Sequence, residues 1–224
     1  MSIIVISVGT SLITNNRRVK RIFPSNAYDD FLQELKQKET SPIAGFQFEF
    51  NADGILKINT GETQLYGFAQ KFFNKYLDPV EIKNNVKYRD QNPDRLPAEI
   101  SSLFLYYHDK HGSLRDEFKP RLSEGSDSEF TKKDQIILLT TDTADAVFCA
   151  KLVGEMIQRV GLFSEKCARN WEIVTIEKLD VYEHTAWKTG LKNLDKFFNG
   201  MHDQYPHNNI ILIRTGGYKE FSAD

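Results

Sequence analysis

What this sequence has little of narrows the reading first. Of 224 residues two are cysteine, Cys149 and Cys167, and they form no CxxC pair. Two thiols so placed build neither a zinc site nor a disulfide framework, and a reducing cytoplasm is the compartment they fit. The five histidines are scattered, with no His-x-x-x-His and no triad-like partner, so they give metal or nucleophilic chemistry no support. Charge of one sign is also missing: 29 Lys and Arg stand against 31 Asp and Glu, a net charge of -2. Such a balance offers no chain-wide attraction to long nucleic acid or to an anionic membrane, and any polyanion has to be held by a local site. Long apolar runs are absent. The stretch from Ile3 to Val8 is too short for the core of a signal peptide, and nothing approaches the length of a bilayer span. GxGxxG and GxxxxGK[ST] do not occur, so a nucleotide-cofactor α/β enzyme lacks its fingerprint and no cofactor is implied.

What is present is a chain of ordinary globular composition, 40% hydrophobic, long enough to bury a core of its own. Four short aliphatic runs stand out: Ser2 to Val8, Gln135 to Leu139, Trp171 to Ile176 and Asn209 to Ile213. Continuous apolar runs of this length are expected of strands covered on both faces of a parallel sheet. Between the last three lie helical patterns. Val147, Ala150, Val153, Gly154, Ile157 and Val160 share one stripe, with Asp142 and Asp145 placed to cap its start. Trp187, Leu191, Leu194, Phe197 and Phe198 mark a second helix. Alternation of this kind predicts an α/β fold, a Rossmann-like doubly wound and mainly parallel sheet.

Strands one and two are too far apart for one crossover, so the segment of about 13–130 reads as an insertion. Helices are expected over Ala27 to Lys38, Gln64 to Leu77 and Pro97 to Lys110, the last with Ile100, Leu103, Phe104 and Tyr107 on one stripe. Gly45 to Phe50 alternates strictly before the turn-like Asn51 to Gly54 and the run Ile55 to Thr60, the signature of an inserted β-hairpin. Phe46, Phe48 and Phe50 then form its inward face rather than a base-stacking platform.

Ligands of open parallel sheets bind outside the carboxyl ends of the strands. Strand one ends in Gly9, Thr10, Ser11 and Leu12, strand two in Thr140, Thr141, Asp142 and Thr143, and strand four in Arg214, Thr215, Gly216, Gly217, Tyr218 and Lys219. Glycine lets backbone N–H groups approach a ligand, and hydroxyl and ammonium donors suit phosphate. Glycine and threonine also make tight turns with no ligand at all. Arg214 is a weaker candidate, able to reach a ligand or a surface carboxylate, and the cluster Arg17 to Arg21 reads first as a solvated face.

Four of these segments, in this order, carry a resemblance. Ser7–Leu12 (SVGTSL), Leu96–Leu103 (LPAEISSL), Leu138–Asp145 (LLTTDTAD) and Thr215–Lys219 (TGGYK) are together similar to the CRISPR-associated Rossmann-fold (CARF) domain, in the branch with GTSL and TGGFK-like loops. Trp187–Leu191 (WKTGL), an aromatic followed by Gly-Leu before the last strand, resembles it too. Tyr218 stands where that branch commonly has Phe, and the hairpin maps onto no motif of the family.

The resemblance implies a sensor of cyclic oligoadenylate, the messenger of type III CRISPR complexes, with residues 1–224 as the sensing domain. It implies a homodimer holding a cyclic tetra- or hexa-adenylate across its two-fold axis, which suits a near-neutral chain because a small ring needs only a few convergent donors. On this correspondence Gly9, Thr10 and Ser11 contact ribose and phosphate, Lys219 pairs with phosphate, and Gly216 and Gly217 give backbone donors. Thr141, Asp142 and Thr143 line the pocket, with Leu12, Thr215 and Tyr218 alongside. Asp142 has a competing role as a helix cap.

Some relatives are ring nucleases that direct a ribose 2′-hydroxyl onto the adjacent phosphate without metal. Ser11 and Lys219 would then hold the in-line geometry and stabilise the charge. Only Glu220 to Asp224 follow Lys219, too little for the helix expected there, so a downstream effector domain, which could add higher oligomerisation, is expected beyond this chain. Sensor, stand-alone ring nuclease and nucleotide-cofactor enzyme all stay open at this point.

Overall fold

The computed structural model describes residues 2–14, 25–37, 48–49, 64–76, 99, 135–159, 171–179 and 184–213. Four strands, β1 (Ser2–Ser7), β2 (Gln135–Thr141), β3 (Trp171–Ile176) and β4 (Asn209–Ile213), form one sheet in the order β3-β2-β1-β4. Every pairing is parallel. The helices are α1 (Ser11–Thr14), α2 (Ser25–Lys36), α3 (Gln64–Tyr76), α4 (Ala144–Arg159) and α5 (His184–Gln204). The expected Rossmann-like α/β sheet is therefore the observed one. The chain steps outward from β1 to β2 to β3 and then returns through α5 to the far side of β1.

Side-chain alternation along β1 divides the core in two. Ile4, Ile6 and Val8 face one side together with Ile136, Leu138 and Ile213, and α1, α2, α3 and α4 cover them. Ile3 and Val5 face the other side with Ile137 and Leu139, under Leu194 and Met201 of α5 and the half-buried Trp187, Leu191, Phe197 and Phe198. The register places Ile4 between Ile136 and Ile211, and Ile6 between Leu138 and Ile213, so like meets like across the sheet. Both faces of β1 are dry, which is why its run carries no polar alternation.

Helix α4 departs from the single stripe its spacing suggested. Val147, Ala150, Val153 and Ile157 are buried as expected, but so are Phe148, Cys149, Leu152 and Met156. The cause is its position: one side lies on the sheet and the other is roofed by α2 and α3. Phe148 stacks edge-on against Phe31, with centroids 5.8 Å apart, and stands 6.0 Å from the rings of Phe48 and Phe68. Gly154 lets α4 lie on the indole of Trp171, since a Cβ there would stand 2.6 Å from that ring.

Two helix starts in the insertion are tied down locally. The Tyr28 hydroxyl donates to the Ile13 carbonyl at 3.0 Å, linking α2 to α1, and the Leu65 N–H donates to a Glu34 carboxylate oxygen at 3.3 Å, satisfying a donor in the first turn of α3. Of the expected hairpin only Phe48 and Glu49 are described. Neither lies in a strand. Phe48 packs edge-on against Tyr66 and Phe73, an inward position as anticipated, and Glu49 is exposed. The rest of the hairpin, the helix expected over 97–110 apart from Glu99, and the Arg17 to Arg21 cluster lie outside the described residues. Among the described residues no helix is long and apolar enough to cross a membrane.

Candidate functional site at the carboxyl edge of the sheet

The reversal of chain direction falls between β1 and β4, where the crevice of a doubly wound sheet opens. Ile6 pairs with Ile213, so the chain leaves both strands at the same end, one toward Gly9–Ser11 and the other toward Arg214–Lys219. Residues 214–219, including the expected ligand residues Thr215, Gly216, Gly217, Tyr218 and Lys219, lie outside the described residues.

The β1 side of the edge is built tightly. Val8 continues the ladder, its N–H donating to the Leu139 carbonyl at 2.8 Å. The next peptide is held from two directions. The buried Thr140 hydroxyl donates to the Val8 carbonyl at 3.1 Å, and the Gly9 N–H points at a carboxylate oxygen of Glu99 at 3.5 Å. Thr140 and Glu99 are both 0% exposed. Thr10 is half-buried, and its carbonyl accepts the Ile13 N–H at 3.0 Å, turning the chain into α1. Ser11 opens α1; its side chain lies outside the described residues. Leu12, expected beside the ligand, is fully buried in the core, so its side chain anchors the loop from below.

On the β2 side the strand runs two residues beyond the aliphatic run. Thr140 and Thr141 pair with Thr175 and Ile176 of β3, which pushes the start of α4 to Ala144. The cap position thereby falls to Thr143, whose carbonyl accepts the Val147 N–H at 3.0 Å. Asp142, expected at that position, stands one residue ahead and is exposed. Asp145 keeps its place in the first turn, where a carboxylate favours the helix dipole. Thr141 and Thr143 share a hydroxyl–hydroxyl hydrogen bond of 3.0 Å, so two of the residues expected at the pocket wall are coupled through their hydroxyls.

The β3 end is fixed by α5. Lys178 has φ 60, the left-handed region, and Asn193 donates from its amide to the Glu177 carbonyl at 3.0 Å. Gly190, from the WKTGL segment, lets the helix backbone approach this turn. The edge as described thus carries the Thr141 and Thr143 hydroxyls, groups able to hydrogen-bond phosphates and ribose hydroxyls, on a frame whose backbone groups at Val8, Gly9 and Thr10 are already paired. Among the described residues no cluster of His, Cys, Asp and Glu could hold a metal ion.

Sequence reasoning took in Glu99, Thr140 and Gly190 only as parts of longer segments and gave none of them a role of its own. For Glu99 a signal existed: it stands four residues before Leu103, so on a helix it shares the apolar stripe, where a carboxylate is out of place unless it has a partner.

A search of curated proteins finds no match. Residues 94–223 match the model of a family described as CRISPR-associated protein (Cas_APE2256). The match takes in more than half of the chain, from Glu99 through the β2 edge to the TGGYK segment. On that extent the chain belongs to the CRISPR-associated protein family Cas_APE2256.

Proposed function

We propose that this chain is a CARF-type sensor in type III CRISPR defence, binding a cyclic tetra- or hexa-adenylate at the carboxyl edge of the sheet and across a homodimer. Family membership supports the CRISPR setting. The observation that carries the ligand reading is the parallel pairing of Ile6 with Ile213, which ends β1 and β4 side by side, with GTSL following the one strand in sequence and TGGYK the other. Strands that end side by side at a switch point suit a small phosphodiester ring, and the net charge of -2 suits a small anion better than a long one.

Calorimetric titration of the purified protein with cyclic tri-, tetra- and hexa-adenylate tests this, with Lys219→Ala in parallel. One ring binding the wild type at least tenfold more tightly than the variant is the expected result. Equal affinity for both would remove Lys219 from the site, and no binding of any ring would overturn the reading. Light scattering with and without the ring reports the dimer.

A further inference from the structure

The peptide between Val8 and Gly9 has both of its polar groups held by buried side chains brought from distant parts of the chain. Its carbonyl accepts from Thr140, 132 positions away, and its N–H faces Glu99, 90 positions away. A carboxylate and a hydroxyl with no exposure do not reach the surface of the edge themselves, but both act on it by holding this peptide. Fixing one peptide plane sets the point from which the next residues leave, with the two Gly9 dihedrals as the only soft links to the following peptide. Those residues are Thr10 and Ser11. The Gly9 N–H, turned inward, is also withdrawn from the donors that can meet an anion.

We propose that Glu99 and Thr140 are positioning residues that lock the Val8–Gly9 peptide and so preorganise the Gly9–Ser11 loop for its ligand. The inference rests on the sensor reading for the identity of that ligand and on geometry alone for the lock. Glycine at position 9 makes such a lock necessary, since an unrestrained glycine samples both signs of φ. Preorganisation raises affinity by removing the ordering that binding would otherwise require.

Three variants separate the possibilities: Glu99→Leu, which removes the acceptor; Glu99→Gln, which keeps an oxygen for the Gly9 N–H; and Thr140→Val, which removes the donor. Amide hydrogen exchange of the ligand-free protein is followed over residues 8–13, with α5 as internal reference. Glu99→Leu and Thr140→Val should speed exchange in 8–13 at least tenfold while leaving α5 unchanged, and Glu99→Gln should restore slow exchange. With the ring that binds the wild type, affinity should fall at least tenfold for the first pair and stay within threefold for Glu99→Gln.

Exchange in 8–13 that matches the wild type in Thr140→Val, or that rises equally in 8–13 and α5, overturns the lock. If Glu99→Leu fails to fold, Thr140→Val and Glu99→Gln still decide. Failure of every ring to bind the wild type would overturn the sensor reading alone, because the exchange measurement needs no ligand.

Discussion

Gly190 lies against Leu179 so closely that a Cβ on the glycine would stand 2.5 Å from the Leu179 Cα. Backbone cannot yield as a flexible side chain can, so this contact sets how near α5 approaches the β3 turn. Gly190→Ala gains helix propensity of up to about 1 kcal/mol but meets overpacking of about 1–3 kcal/mol, and the clash wins. Urea unfolding should show net destabilisation. Gly200 of the same helix has open space around it, so Gly200→Ala should stabilise by about 0.5–1 kcal/mol and serves as the control.

Phe148 joins the rings of Phe31, Phe48 and Phe68 between the sheet side of α4 and its roof. Phe148→Ala should cost about 3–5 kcal/mol, a large share of the roughly 5–15 kcal/mol that domains possess. Thermal unfolding by circular dichroism checks this, and a loss below about 1 kcal/mol would contradict the packing described.

Asp142 stands ahead of the α4 cap instead of at it. Asp142→Ala should therefore shift stability by no more than about 0.5 kcal/mol, where loss of a true cap costs about 1 kcal/mol. Denaturant midpoints at matched slope read the difference.

Tyr28 titrates above its ordinary 10.0, because burial disfavours the phenolate and the nearby Asp29 and Cys149 add repulsion. Below pH 10 the phenol is protonated in folded and unfolded chains alike, and its contribution is fully present. As pH rises above 10 the unfolded chain ionises first, so stability falls until the folded pKa is passed. Absorbance titration near 295 nm should show a late phenol that Tyr28→Phe removes. The same variant should flatten part of the alkaline loss of stability while costing about 1 kcal/mol at neutral pH through the bond to Ile13.

The sheet was legible because its strands are dry on both faces: a run such as Ile3–Ile6 has no other economical place to lie, and the observed bounds follow the aliphatic runs closely. Where the reading slipped, long-range pairing overrode local preference. Aspartate is as good a cap as any residue taken alone, yet pairing of Thr140 and Thr141 with β3 carries β2 up to Asp142, and the helix begins one residue later than an Asp142 cap would start it. A turn-like Thr-Thr became strand for the same reason. Glu99 was visible as an oddity within an apolar stripe, but its target is set by tertiary structure, and no local rule points from position 99 to position 9. The contribution of α5 was half legible. Its apolar face followed from spacing, whereas the need for glycine at 190 appears only when the β3 turn is brought against it.

The position of β1 in the middle of the sheet has a consequence for assembly. Its hydrogen-bonding partners, β2 and β4, lie far downstream, the second ending at Ile213. During synthesis β1 therefore waits unpaired, and one of its edges stays open until β4 has been made. A sheet closed by such distant contacts forms late and slowly, with the cost of chain closure met before the pairing rewards it. A nascent chain arrested before Asn209 should thus expose the free edge of β1 to chaperones, and release of β4 should end that exposure in one step.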